Sequence, residues 1–208
     1  DLHSFPTRRS SDLVVATADV QGEYKFGAGR YWQMPNALDL IGAEAKRLGT
    51  KACVTGGETA LALTRERLSS GLDAAEIPWV EERYSGPASA AKAAAVASVA
   101  TEKGCDVIVG VGGGRALDLA KAAAALLGAP VITVPASAAT CAAYAPLSVL
   151  YHENGAYDHC VWHEREVDAV LVDIEIQSAQ PPRLMASGIL DAMAKYRSEE
   201  HTSELQSR

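Results

Sequence analysis

Residues 106–122 read DVIVGVGGGRALDLAKA, and the order of their parts decides the fold. Asp106 to Val111 is a run of valine, isoleucine and glycine with no alternating polar face, the pattern of a strand buried on both sides. Gly112, Gly113 and Gly114 interrupt it, and Ala116 to Leu127 then carries the alanine and leucine composition of a helix. A strand, a glycine loop and a helix in that order point backbone N–H groups into a helix N-terminus, where phosphate is well held. Missing side chains let the backbone approach the ligand. The loop departs from the dinucleotide fingerprint, because Arg115 stands where the third glycine would be. It is not a P-loop either, since no Gly-Lys-Ser/Thr follows. A tight strand-to-helix turn with no ligand is the alternative reading. Asp118 and Lys121 fall three residues apart on the helix, where they can simply pair.

Outward from this unit the same alternation continues. Ala52 to Thr55, Trp79 to Tyr84, Val131 to Val134 and Ala169 to Val172 read as strands; Ala37 to Leu48, Thr59 to Leu68 and Ser89 to Glu102 read as helices. Pro35 is expected at a first helical position and Gly49 as a stop. Val14 to Trp32 is expected to be irregular β structure. Leu147 to Tyr151 and roughly Cys160 to Trp162 flank Glu153-Asn154-Gly155, a hairpin signal. Pro181 to Tyr196 opens a new helical region. The expected class is α/β, with a mostly parallel sheet.

The 208 residues carry a net charge of −7, from 26 Asp and Glu against 19 Lys and Arg, so no basic field is offered to a nucleic-acid backbone. No apolar run approaches the roughly 20 residues of a membrane helix, and no export signal is expected. The four cysteines, Cys53, Cys105, Cys141 and Cys160, lack metal-site spacing and read as reduced cytoplasmic thiols. The termini differ in character: Asp1 to Asp12 (DLHSFPTRRSSD) and Arg197 to Arg208 (RSEEHTSELQSR) are polar and patternless. Both resemble translations of the two arms of a common short-read sequencing adapter, against the alternative of natural disordered tails, and are set aside as artefacts. The expected native part is then Leu13 to Tyr196, an internal piece of a longer protein. An α/β domain over residues 13–178 would be followed by the start of a helical domain over 179–196.

Gly112-Gly113-Gly114-Arg115-Ala116-Leu117-Asp118-Leu119-Ala120-Lys121-Ala122 resembles the GGG(K/R)xxDxAK signature of the iron-containing, or group III, alcohol dehydrogenases. Pro135 to Thr140 (PASAAT), Pro146 to Tyr151 (PLSVLY) and Ala186 to Ala192 (ASGILDA) follow in the same order and approximate spacing. The likeness covers nearly all of Val20 to Tyr196 and is nearest to the glycerol dehydrogenase-like branch. It implies a Rossmann-like domain of the dehydroquinate synthase-like fold. It also implies NAD or NADP as cofactor and a divalent metal, zinc or iron. The resemblance assigns the dinucleotide pyrophosphate to Gly112, Gly113, Gly114 and Arg115. It puts Ala136, Ala139, Thr140, Leu147 and Tyr151 in cofactor-facing positions; Tyr151 read by itself is an aromatic packing on the core. Asp191 matches the first of three metal ligands, the other two being histidines of the helical domain beyond Tyr196; by itself it reads as a helix-surface carboxylate. His159 and His163, on a strand-like segment, are expected on the surface beside the hairpin, and His152 has no assigned role.

Two departures from the family pattern bear on substrate and cofactor. Cys141 stands where glycerol dehydrogenases place a substrate-binding carboxylate, which weakens glycerol as substrate and admits an anionic 2-oxo or 2-hydroxy acid; the alternative is that the thiol only packs. Gly57 stands where NAD-specific relatives place an Asp that holds the adenosine ribose, which removes repulsion of a 2′-phosphate and admits NADP, unless Glu58 substitutes. The expected whole protein transfers hydride reversibly between nicotinamide and a small secondary alcohol, polyol or hydroxy acid and its ketone, and assembles as a homo-oligomer. Sister readings are a glycerol-1-phosphate dehydrogenase or dehydroquinate synthase-like enzyme, or a nucleotide-binding domain without catalysis.

Overall fold

A computed structural model describes residues 27–206, with side chains to Arg197. Six strands form one parallel sheet: β1 (Tyr31–Met34), β2 (Ala52–Gly56), β3 (Trp79–Arg83), β4 (Val107–Gly112), β5 (Val131–Pro135) and β8 (Ala169–Asp173). Their spatial order is β1-β8-β5-β4-β2-β3. Strands β6 (Leu147–Tyr151) and β7 (Tyr157–Trp162) form a separate antiparallel hairpin, with a register shift between Leu150 and Tyr151. The helices are α1 (Ile41–Leu48), α2 (Glu58–Ala74), α3 (Ala90–Glu102), α4 (Gly114–Leu127), α5 (Ile174–Ser178) and α6 (Pro182–Gln206).

Both faces of the sheet are covered, which is why β2, β4 and β5 are buried at every position and read as continuous apolar runs. Leu38, Ile41, Leu61, Leu68 and Leu72 pack with Val54, Val109 and Leu171 on one face. On the other, the alanines of α3 and α4 pack with Cys53, Ile108, Val131 and Leu150 of the hairpin. Small side chains bring α3 and α4 close to one another and to the sheet, as in the fit of Ala120 against Gly110.

Several sequence expectations are corrected. Pro35 does not open a helix: β1 ends at Met34, Asn36 takes a left-handed conformation (φ 59°), and a short 3₁₀ turn over Ala37–Leu40 leads into α1. Trp32 belongs to β1, a regular edge strand paired with β8; of the irregular segment expected over Val14 to Trp32, the part before residue 27 lies outside the described residues. Helix α2 continues past Leu68 through Gly71, because a bare Gly71 lets α2 approach Ile41 and Gly42 of α1 closely. Helix α4 begins at Gly114 rather than Ala116. Helix α6 runs on through Arg197 to Gln206, so the segment read as an adapter translation is not marked off by a change of secondary structure; it contains no proline or glycine to stop a helix.

Candidate functional site

The chain leaves β2 toward β3 in one direction and leaves β4 toward β5 in the other, so the strand order reverses between β2 and β4. Ligands of open α/β sheets bind outside the carboxyl ends of the strands at such a reversal. Here those ends carry Gly56 and Gly57 on β2 and Gly112, Gly113 and Gly114 on β4 and α4. Gly112 has φ +144°, a conformation that side chains rarely adopt, and a Cβ there would lie 2.8 Å from that of Ala116. A Cβ on Gly113 would meet Ser137 Oγ at 3.3 Å, and one on Gly114 would meet Thr140 Oγ1 at 2.9 Å. The loop is therefore a backbone cradle at the N-terminus of the 14-residue helix α4, where partial positive charge favours a phosphate.

Of the other cofactor-facing candidates, Ala136, Thr140 and Tyr151 are tied to this cradle. Ala136 donates its N–H to Gly112 O at 2.8 Å, which fixes the segment after β5 beside the loop. Thr140 caps the short 3₁₀ turn Cys141–Ala143 by accepting from Ala142 N. Ala139 lies against Gly188 of α6, and Leu147 and Tyr151 begin and end β6. The Arg115 guanidinium sits 5.3 Å from the centre of the Tyr151 ring, a cation–π contact that ties loop to hairpin. Gly57 faces open space: nothing lies within 4 Å of a Cβ built on it.

A buried polar knot holds the hairpin to α4. Lys121 and Asp118 pair at 2.9 Å with side chains 2% and 9% exposed, and Lys121 Nζ also donates to the carbonyls of Ala145, at 2.9 Å, and Leu147. Burial pushes Asp118 up and Lys121 down, each toward its neutral form, against the pull of the other's charge. Ser148 Oγ donates to Asp118 O at 2.7 Å and lies 2.8 Å from His163 Nε2. The hydroxyl has one proton, already given to the carbonyl, so the network assigns Nε2–H as the donor to Oγ. His163 is thus turned inward, contrary to its expected surface position, and burial and then the Lys121 charge lower its pKa. His159 does sit on the surface, 3.2 Å from Asp158. Sequence spacing showed the Asp118–Lys121 pair but not the carbonyls that Lys121 holds, which are 24 and 26 residues away.

At the carboxyl ends of β5, β8 and β1 lies a second cleft, with a volume of about 440 Å³, walled by Tyr31, Gln33, Thr140, Cys141, Tyr144 and Met185 among others. Helix α6 presses against its loop: a Cβ on Gly188 would overlap Ala138 O. Gln177 Nε2 donates to Pro135 O, and Ala138 N donates to Gln180 Oε1 at 2.9 Å, so α5 and the turn after it fix the backbone leading to Cys141. Asp191 is held by Lys195, whose Nζ lies 2.6 Å from its Oδ2 and 3.1 Å from Cys141 Sγ. Asp191 is a suitable oxygen donor for zinc or iron, yet the described residues contain no group of three His, Cys, Asp or Glu able to hold a metal. Asp191 by itself does not make a metal site among them. Lys195 was missed in the sequence, although its i, i+4 spacing from Asp191 is a helix pairing signal; its contact with Cys141 is tertiary.

Fold and loop together define a Rossmann-like α/β domain with a glycine-lined backbone cradle at a strand-order reversal. A family model described as iron-containing alcohol dehydrogenase matches residues 28–174, and the chain belongs to that family. It is 32% identical over 166 residues to the glycolaldehyde reductase of Halobacterium salinarum, covering 80% of this chain and 46% of that protein. It is 45% identical over 103 residues to hydroxycarboxylate dehydrogenase A of Escherichia coli, covering 49% of this chain and 28% of that protein. The crystal structure of a probable glycerol dehydrogenase from Sinorhizobium meliloti superposes with a TM-score of 0.73 at 33% identity, over 80% of this chain and 44% of that one. The chain thus spans 46% of the length of the glycolaldehyde reductase it matches. No helix among the described residues is long and apolar enough to cross a membrane.

Proposed function

We propose that this chain is the cofactor-binding part of a metal-dependent, NAD(P)-linked dehydrogenase of small secondary alcohols, polyols or hydroxy acids. The observation that carries the reading is the glycine cradle at the reversal between β2 and β4, with Arg115 and Tyr151 closing one side. The names of its relatives, a glycolaldehyde reductase and a hydroxycarboxylate dehydrogenase, support the substrate class. Gly112, Gly113, Gly114 and Arg115 take the pyrophosphate, and Ala136, Ala139, Thr140, Leu147 and Tyr151 border the bound dinucleotide. Cys141 faces the substrate, and Asp191 supplies one ligand to a divalent metal, zinc or iron. That metal, when bound, polarises the substrate oxygen. The nicotinamide dinucleotide, which Gly112, Gly113, Gly114 and Arg115 would hold, would supply reversible hydride transfer between an alcohol and its ketone. The protein's own part is to orient the ring against the reacting carbon through the cradle and the pinned loop after β5.

In the same reading, residues 13–178 are the nucleotide-binding domain and 179–196 open a helical metal-binding domain, with artefactual termini at 1–12 and 197–208. The complete protein works in the cytoplasm as a homo-oligomer. The test is titration of the 208-residue chain with NADH and NADPH, followed by fluorescence. Gly114→Val, which drives a side chain into Thr140, should weaken binding about tenfold, worth about 1.4 kcal/mol, at an unchanged melting temperature. A wild-type chain that binds neither nucleotide would overturn the reading.

A further inference from the structure

Strand β3 ends at Arg83, in register with Gly56 at the end of β2, and the pairing persists past the strand ends because Tyr84 N donates to Gly56 O at 3.2 Å. Parallel neighbours lie about 4.8 Å apart, so the first turn of α2 and Gly57 are within a side chain's length of Arg83. The face it occupies is fixed as well. Glu81, two residues earlier and so on the same side of the sheet, accepts from Arg83 Nε at 2.6 Å and pairs with Arg65 Nη2 of α2 at 3.4 Å. Arg83 therefore stands on the α2 side of the sheet, where Gly57 is the N-cap and leaves open space. We infer that Arg83 is a specificity-determining residue, its guanidinium receiving the 2′-phosphate of NADP(H) beside Gly57. The inference rests on the dehydrogenase reading above and narrows its cofactor.

Three features argue for a phosphate at this point. The side chain is 50% exposed and only its Nε is engaged, so the two terminal nitrogens are left to donate. A guanidinium offers them as parallel donors, the geometry that matches a phosphate. Glu81 is shared between Arg65 and Arg83, so holding Arg83 in place takes only part of its charge. Finally, Gly57 brings no side-chain cap to α2, and the first N–H groups of that 17-residue helix face the same opening. Glu58 opposes an anion here through its charge on Arg83, but it is exposed and screened by solvent. Arg115, on the glycine loop, is turned instead toward Tyr151.

The test is equilibrium binding of NADPH and NADH to the 208-residue chain, followed by nucleotide fluorescence, in the wild type and in Arg83→Gln, Arg83→Lys and Glu58→Gln. The wild type should hold NADPH more tightly than NADH. Arg83→Gln should weaken NADPH about tenfold, through loss of a charge-assisted contact, and leave NADH unchanged. Arg83→Lys should retain part of the preference, and Glu58→Gln should tighten NADPH alone. Added salt should narrow the preference in the wild type and not in Arg83→Gln. NADPH affinity that survives Arg83→Gln, or NADPH and NADH weakened alike, would overturn the inference and leave the dehydrogenase reading standing. Binding of NADH without NADPH by the wild type would do the same. Binding of neither nucleotide would overturn both.

Discussion

Single residues in this chain set what the cradle accepts. Gly57 is the N-cap of α2 at the carboxyl end of β2, and the space that a side chain would fill there is open. In the proposed function, a 2′-phosphate placed there would meet no side chain and no carboxylate from residue 57. Gly57→Asp should shift preference from NADPH toward NADH by about tenfold, the effect of about 1.4 kcal/mol, read as the ratio of the two dissociation constants. No change in that ratio would mean that Glu58, the exposed first residue of α2, already sets the preference. Cys53 shows the opposite case of a residue with no part in the site: burial pushes its thiol up to about 12, which leaves it inert.

Elements are held in place by buried charge. Lys121 joins α4 to the start of β6, so the helix that bears the cradle and the strand that bears Tyr151 move together. Lys121→Met leaves Asp118 buried without its partner and should cost about 3 to 5 kcal/mol of stability. Adding Asp118→Asn should recover part of that loss in denaturant unfolding, because the stranded charge is gone. Asp173 ties β8 to the turn before α1 and to α2: its carboxylate accepts from Leu38 N at 3.1 Å and Arg67 at 2.8 Å, and from Glu175 N at 3.0 Å. Burial raises its pKa, but these bonds outweigh it and hold the carboxyl below its ordinary value. The sign follows from linkage. With a depressed folded pKa, the stabilisation is complete above the unfolded value near about 3.9 and is lost as pH falls through the folded one. Melting temperature should therefore drop on acidification in that window, and Asp173→Asn should lower it at neutral pH while flattening the acid limb.

Across the whole molecule, α6 is the outlier. It meets the body at Gly188 and at Cys141, yet Ile189, Leu190, Met193 and Tyr196 are 55%, 65%, 63% and 68% exposed. An apolar face of that size drives association. The 208-residue chain should self-associate in sedimentation or light scattering, and Leu190→Glu with Met193→Glu should reduce that without changing NADH binding.

The reach of the sequence follows the range of the forces involved. The buried strands, the glycine loop, the hairpin and the parallel α/β class were legible, because each depends on neighbours a few residues away: apolar runs, missing side chains, an Asn-Gly turn. The helix expected to end at Leu68 runs on through Gly71, where contact with α1 accommodates the glycine, and Pro35 misled because a left-handed Asn36 follows it. His163 facing Ser148, Lys121 on the carbonyls of Ala145 and Leu147, Arg115 over Tyr151 and Lys195 against Cys141 join residues 15 to 54 positions apart. Sequence alone determined that a cradle exists and which strand delivers it. Only the tertiary structure decided what stands around it, because burial and strand order bring together charges that no local pattern relates.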